Sequence, residues 1–171
     1  MRIFVALQPT PAFRDALASA QDRLRAAGVT GRYLTPSNLH LTLAFIGMWP
    51  EDISGLLPSV QNPFPVTLSH LGIFPGAKVL WAGVEPSEAL DNLARQVRQA
   101  LTKAEIPFDR QDFNPHITLA RKPAVPEHVR LSEIEVPQAT MIVKDVCLYR
   151  SDHFENGMEY TVIGRSKRPG E

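Results

Sequence analysis

The sequence predicts an α+β protein in which two similar halves face each other across a central cleft. Two observations support this fold class. The strand-like segment His40-Leu41-Thr42-Leu43-Ala44 returns almost unchanged as His116-Ile117-Thr118-Leu119-Ala120, 76 positions later. The same offset places a second strand pattern and then a helix pattern before each copy. Repeated units of this kind pair to bury a face that neither can bury alone, so we expect two pseudo-symmetric antiparallel sheets with helices outside.

Length and composition fit one bilobal domain over residues 1–171, in which about 1–47 and 77–121 are the equivalent parts. The chain is long enough to bury a sizeable core, and 44% of its residues are hydrophobic. Its 18 basic and 18 acidic residues give a formal net charge of +0. Proteins that grip long nucleic acids nonspecifically tend to be basic, so the balance favours a small substrate or an RNA end.

The single cysteine, Cys147, indicates a reducing compartment, because one cysteine forms neither an internal disulfide nor a thiolate metal cluster. It lies in an apolar run, so we expect a buried structural thiol. The amino-terminal segment is too short and too soon interrupted for a signal peptide, and no apolar run approaches membrane-spanning length. We therefore expect a cytoplasmic monomer with no membrane attachment.

The first half opens with a nearly continuous apolar run from Arg2 to Gln8, which predicts a buried strand. Thr10 and Pro11 have the residue types of a helix cap and first turn, and Gly28 is a helix-ending residue. Residues 31–38 are then expected to form only a connection to the first His-x-Thr strand.

The second half repeats this order and is followed by two further strands. The predicted elements are a strand over 66–74, the repeat strand over 78–84, a helix over about 86–104, the second His-x-Thr strand, and strands over 140–150 and 159–165. Asn156-Gly157 is a strong reversal signal between the last two.

Each motif places a histidine and a threonine on one face of its strand, because successive side chains alternate. A lone histidine on a strand is usually structural, but two matched copies would set His40, Thr42, His116 and Thr118 around one cleft. Imidazole has a pKa of about 6.5, so one ring can accept a proton while the other donates one. Threonine hydroxyls can hydrogen-bond phosphate oxygens. The set suits in-line displacement at phosphorus and requires neither metal nor cofactor.

At these residues the sequence resembles the 2H phosphoesterase superfamily, and within it the bacterial and archaeal RNA 2',3'-cyclic phosphodiesterases once called 2'-5' RNA ligases. The resemblance rests on residues 38–47 and 114–121 and covers essentially the whole chain. It implies metal-independent hydrolysis of RNA or nucleotide 2',3'-cyclic phosphate ends to 2'-phosphates. It also implies that His40 is the proton donor, that His116 is the proton acceptor, and that Thr42 and Thr118 hold the phosphate. From the residues alone the two histidines are interchangeable.

Phe45 and Arg121 each follow their motif histidine by five positions. The resemblance implies that Arg121 contacts phosphate and that Phe45 lies beside the base, which suits a guanidinium fork and a phenyl face. Strict alternation would turn both side chains away from the histidines, so either role requires a bulge or the end of the strand. The alternative is a core position for Phe45 and a surface position for Arg121.

The sequence is compatible with three other functions. The same site could act on a different cyclic phosphate or carry out reversible 2'-5' ligation. It could bind RNA ends without catalysis, although binding needs no matched acid and base. A metal hydrolase would need carboxylate or further histidine ligands at close spacing, which neither motif supplies.

Overall fold

The computed structural model of the protein describes residues 1–171, which form nine strands and two α-helices. The strands are β1 (Arg2–Leu7), β2 (Thr30–Tyr33), β3 (Leu41–Met48), β4 (Phe64–Phe74), β5 (Val79–Val84), β6 (His116–Ala124), β7 (Thr140–Val143), β8 (Cys147–Phe154) and β9 (Gly157–Arg165). The helices are α1 (Pro11–Ala26) and α2 (Glu88–Lys103). Neither helix has the length and apolar character that crossing a bilayer requires.

All strand pairs are antiparallel, in the order β7-β4-β5-β6-β3-β1-β8-β9, with β2 added beside β6. The two halves meet where β3 pairs with β6 through one residue pair, Leu41 with Ile117. The predicted α+β fold is therefore confirmed. The strands of both halves form one nine-stranded antiparallel sheet, and the two halves of this sheet join at a narrow seam. The carboxyl-terminal strands β8 and β9 return to the first half beside β1, which the sequence pattern did not predict.

Local signals in the sequence explain both helices. Thr10 accepts a hydrogen bond from the Phe13 amide (3.4 Å) at the start of α1. Ser87 does the same for Leu90 (3.1 Å) at the start of α2. Such caps typically stabilise a helix by about 1 kcal/mol. Just past α1, Gly28 has a φ of +93°, a left-handed conformation that glycine adopts without steric cost.

One hydrophobic core of 34 buried residues spans both halves. The helices contribute apolar stripes at helical spacing, and Leu41 and Ile117 at the seam are fully buried. Because both halves of the sheet share this core, packing fixes their relative position more firmly than the single seam pair could. A smaller cluster of Phe4, Ala6, Cys147 and Tyr149 lies on the other side of β1 and β8.

The structure corrects one expectation about the first half. Residues 31–38 were expected to form a connection, yet Thr30–Tyr33 is strand β2, paired with the far end of β6. Beyond the seam, β3 no longer pairs with β6 and β2 takes that edge. Gly31 permits the close approach, because a Cβ there would lie 3.1 Å from the Arg121 carbonyl oxygen. Such a long-range pairing has no local sequence signal.

Candidate active site

The seam brings the two His-x-Thr motifs side by side. Since Leu41 pairs with Ile117 in an antiparallel register, His40 lies across from Thr118, and Thr42 lies across from His116. The Leu41 and Ile117 side chains enter the core, while the four polar side chains are half-buried on the opposite face. The structure thus places all four predicted residues on one face of two neighbouring strands.

Both imidazoles are oriented by the same backbone contact. His40 Nδ1 lies 2.7 Å from the Asn38 carbonyl oxygen, and His116 Nδ1 lies 2.7 Å from the Asn114 carbonyl oxygen. A carbonyl oxygen only accepts hydrogen bonds, so each Nδ1 carries hydrogen and donates it. This leaves Nε2 of each ring as the nitrogen that gains or loses a proton.

The side chain of Asn38 ties the first motif to strand β9. It is buried, its Nδ2 donates to the Met158 carbonyl oxygen (2.8 Å), and its Oδ1 accepts from the Tyr160 amide (3.1 Å). His40 therefore depends on a strand from the end of the chain for its position. The second motif has no equivalent side-chain hydrogen bonds to a distant strand, since Asn114 is exposed.

A bulge occurs at the same position in both repeats. Against β1, strand β3 has one extra residue at Leu43, and against β5, strand β6 has one extra residue at Leu119. Each bulge reverses the alternation of side chains beyond it. Phe45 and Arg121 consequently return to the face that carries the histidines, and both line one cavity with His40. Of the two arrangements that would bring Phe45 and Arg121 to this face, a bulge or the end of the strand, the bulge is present in both strands.

A helix side chain holds each bulge. Gln21 Nε2 donates to the carbonyl oxygens of Leu119 (3.0 Å) and Leu34 (2.8 Å). Arg98 Nε donates to the Leu43 carbonyl oxygen (3.2 Å). Gln21 is 1% exposed, so its amide is committed to these bonds. Buried polar groups of this kind fix one local backbone geometry because leaving them unpaired is costly.

Aromatic rings surround His40. Phe4 lies 4.6 Å from the imidazole centroid, Tyr160 meets it edge-on at 5.1 Å, and Tyr149 lies at 5.7 Å. Burial lowers the pKa of His40 to about 4, although the hydrogen bond to the Asn38 carbonyl opposes this shift. The nearby positive charges of Arg121 and His116 lower the pKa further. His40 is therefore neutral at pH 7.

Two cavities flank the motifs. One, of about 300 Å³, lies on the His40 side, and the other, of about 480 Å³, lies on the His116 side. Thr42 and Phe45 line both and so form the wall between them, whereas Thr118 lines neither and lies opposite Trp81.

His116 and Phe45 each have one close neighbour. His116 meets the ring of Phe74 edge-on at 5.0 Å. The Arg2 guanidinium covers one face of Phe45 at 4.9 Å.

No group of three or more His, Cys, Asp or Glu side chains is placed to hold a metal ion.

The family model of the 2'-5' RNA ligase superfamily matches residues 13–154. The chain belongs to the 2'-5' RNA ligase superfamily. It is 30% identical to an RNA 2',3'-cyclic phosphodiesterase of Methanothermobacter thermautotrophicus over 94% of this chain and 95% of that protein. It is 31% identical to one of Thermus thermophilus over 100% of this chain and 92% of that protein. The resemblance seen in the sequence is thereby confirmed.

Solved structures of the superfamily have the same fold. The crystal structure of Escherichia coli LigT in apo form superposes with a TM-score of 0.77 at 26% identity, covering 96% of this chain and 95% of that one. A complex of LigT with 3'-AMP, at 25% identity, gives a TM-score of 0.76 over the same shares of the two chains. The superfamily fold therefore extends over essentially the whole molecule.

Sequence reasoning from the superfamily motifs missed several groups around the site. The orienting carbonyls of Asn38 and Asn114 had a signal, because an asparagine stands two positions before the histidine in both copies. Phe4 and Tyr160 had none, since they reach His40 through strand pairings distant in the sequence.

Proposed function

We propose that this protein hydrolyses RNA 2',3'-cyclic phosphate ends to 2'-phosphates, with His40 and His116 as general acid and base. The observation that carries the proposal is the matched pair of imidazoles on neighbouring strands, each with Nδ1 held by a backbone carbonyl. The names of the two relatives, both RNA 2',3'-cyclic phosphodiesterases, support this choice of substrate.

In the proposed reaction, His116 Nε2 removes a proton from water as the water oxygen forms a bond to phosphorus. The bond between phosphorus and the 3' oxygen breaks, and His40 Nε2 gives that oxygen a proton. The product carries a 2'-phosphate and a 3'-hydroxyl. Both transfers use groups of the protein alone, so the reaction needs no metal. The acid and base assignments follow the family resemblance.

The remaining candidate residues would hold the substrate. Thr42 and Thr118 would donate their hydroxyl hydrogens to phosphate oxygens, and the Arg121 guanidinium would balance the phosphate charge. A terminal base would stack on the face of Phe45 that Arg2 leaves uncovered. Thr42 has the more direct role of the two threonines, because it lines both cavities.

The low pKa of His40 constrains how the acid works. With a pKa of about 4 the ring is neutral at pH 7, yet a proton donor must be charged. Burial is the main cause, and the positive charge of Arg121 adds to it; an anionic phosphate would offset that charge. We therefore expect His40 to take up its proton together with the substrate, not before it.

The test is hydrolysis of a short RNA ending in a 2',3'-cyclic phosphate, in EDTA, with identification of the phosphate isomer. The wild type should form a 2'-phosphate, and His40→Ala and His116→Ala should each lose roughly a hundredfold or more. His128→Ala is the matched control, because His128 is exposed and lines neither cavity. RNA binding without turnover would instead support an RNA-end binding protein, and activity only after metal addition would refute the metal-free mechanism.

A further inference from the structure

The His116 cavity continues into a larger groove along one side of α2. The groove has a volume of about 790 Å³ and shares Arg98, Asp112 and Phe113 with the His116 cavity. Its floor includes Phe108, and its rim includes Arg95, Lys103 and Arg110. A ligand whose end lies between the histidines can therefore extend into this groove without leaving the surface of the protein.

The groove is positively charged although the whole chain is neutral. Four cations, Arg95, Arg98, Lys103 and Arg110, line it with two carboxylates, Asp91 and Asp112, whereas the formal charge of the chain is +0. Arg95, Lys103 and Arg110 take part in none of the ion pairs of the molecule. Their charges are not balanced within the fold, so an anionic ligand can use them.

Aromatic rings lie among these cations. The Arg110 guanidinium lies 4.2 Å from the centroid of Phe108, and the Arg98 guanidinium lies 5.7 Å from Phe108 and 5.8 Å from Phe113. Guanidinium planes and phenyl rings both offer flat surfaces on which nucleobases stack, and the neighbouring charges attract the phosphates. This combination is typical of grooves that bind single-stranded nucleic acid without reading its sequence.

We propose that the α2 groove binds the single-stranded RNA on the 5' side of the cyclic phosphate. The inference rests on the proposed function and adds a substrate class to it, namely oligonucleotides in preference to mononucleotides. Arg95, Lys103 and Arg110 contact phosphates in this arrangement. Arg98 joins the groove to the cleft and also holds the β3 bulge through Leu43.

The experiment compares a nucleoside 2',3'-cyclic phosphate with an oligonucleotide of about six nucleotides that ends in the same group. The variant is Arg95→Gln with Arg110→Gln. The control, Lys144→Gln with Lys167→Gln, removes the same charge from exposed positions outside the groove. We expect the groove variant to raise KM roughly tenfold for the oligonucleotide only, and to reduce the salt dependence of its binding by a slope of about 1.4.

The same oligonucleotide is also labelled with a dye, and its binding is measured by fluorescence anisotropy. This measurement separates the groove proposal from the proposed hydrolysis. If neither substrate is hydrolysed but the groove variant binds the oligonucleotide more weakly than the control does, hydrolysis fails and the groove assignment stands. If the groove variant and the control bind it equally, or if the wild type has equal KM values for the two substrates, the groove assignment is overturned.

Discussion

Gln21 and Arg98 occupy the same position in their helices, the eleventh residue of α1 and of α2, and each donates to the carbonyl oxygen of the bulged leucine in the other repeat. The internal repeat therefore includes the contacts that shape the strands beside the site. Gln21 supports the bulge that precedes Arg121, and Arg98 supports the one that precedes Phe45.

Replacing the buried amide of Gln21 tests this relationship. Gln21→Met keeps the side-chain length but leaves the Leu34 and Leu119 carbonyl oxygens without this donor. We expect a loss of about 1–3 kcal/mol in the free energy of unfolding, measured in urea. KM should rise more than kcat falls, because the bulge orients Arg121.

The exposed residue Gln96 on α2 provides the matched control. Gln96→Met should leave the free energy of unfolding, KM and kcat unchanged. Equal stabilities of the two variants would show that the amide does not hold the bulge.

The pKa of His40 predicts a pH dependence of stability. Burial keeps this pKa at about 4 in the folded protein, whereas an unfolded chain has the ordinary value of about 6.5. Between these values the unfolded chain binds a proton that the folded protein does not, so stability falls as the pH falls. We expect a loss of roughly 1–2 kcal/mol between pH 7 and pH 5 from this residue.

Urea unfolding at the two pH values checks the expectation. His40→Asn should lose this part of the pH dependence, while His128→Asn, at an exposed position, should retain it. If His40→Asn and the wild type lose the same free energy between pH 7 and pH 5, His40 is not the desolvated group.

The acid and base can be assigned with a substrate in which sulfur replaces the leaving 3' oxygen. A thiolate leaves without a proton, so the general acid becomes dispensable while the base does not. His40→Ala should recover most of its roughly hundredfold or larger loss on this substrate, and His116→Ala should not. Turnover rates on the oxygen and sulfur substrates give the answer, and recovery by His116→Ala alone would reverse the assignment.

The packing of Trp81 against Gly72 should be sensitive to added volume. Trp81 pairs with Thr118 on one neighbouring strand and with Gly72 on the other, and a Cβ at Gly72 would lie 2.3 Å from the indole ring. Gly72→Ala should therefore cost about 1–3 kcal/mol of unfolding free energy, seen as a lower Tm. Gly76→Ala, where a Cβ meets no atom within 4 Å, should leave Tm nearly unchanged. Similar Tm values for both variants would contradict this packing.

Most parts of the fold that depend on short-range signals could be predicted. The exception is residues 140–150, which were predicted as one strand but form β7 and the first part of β8, with a break at 144–146. The residue type of Thr10 predicted the start of its helix, and the repetition of the two motifs predicted that they pair. The sequence also indicated that Phe45 and Arg121 could reach the histidine face only through a bulge or the end of the strand, because residues five positions apart on a regular strand face opposite ways. The positions of Phe45 and Arg121 beside the cleft follow from that parity.

The contacts that could not be predicted depend on partners far apart in the sequence. Gln21 stands beside apolar residues on its helix but bonds to a carbonyl 98 positions away. Tyr160 reaches His40 only because β9 returns to the first half of the molecule. No local pattern distinguishes either residue from an ordinary surface side chain, since the pairing of distant strands decides where each one lies.

The return of β8 and β9 also sets the order in which the site forms during synthesis. Both His-x-Thr motifs leave the ribosome before these strands, which carry Tyr149, Tyr160 and the backbone that holds Asn38. A nascent chain that ends after β7 thus has both histidines but lacks much of the wall that removes His40 from water. In such a chain His40 is less shielded from water, so its pKa lies closer to the ordinary value of about 6.5 than it does in the folded protein. The first motif in the sequence is the last to acquire its chemical environment.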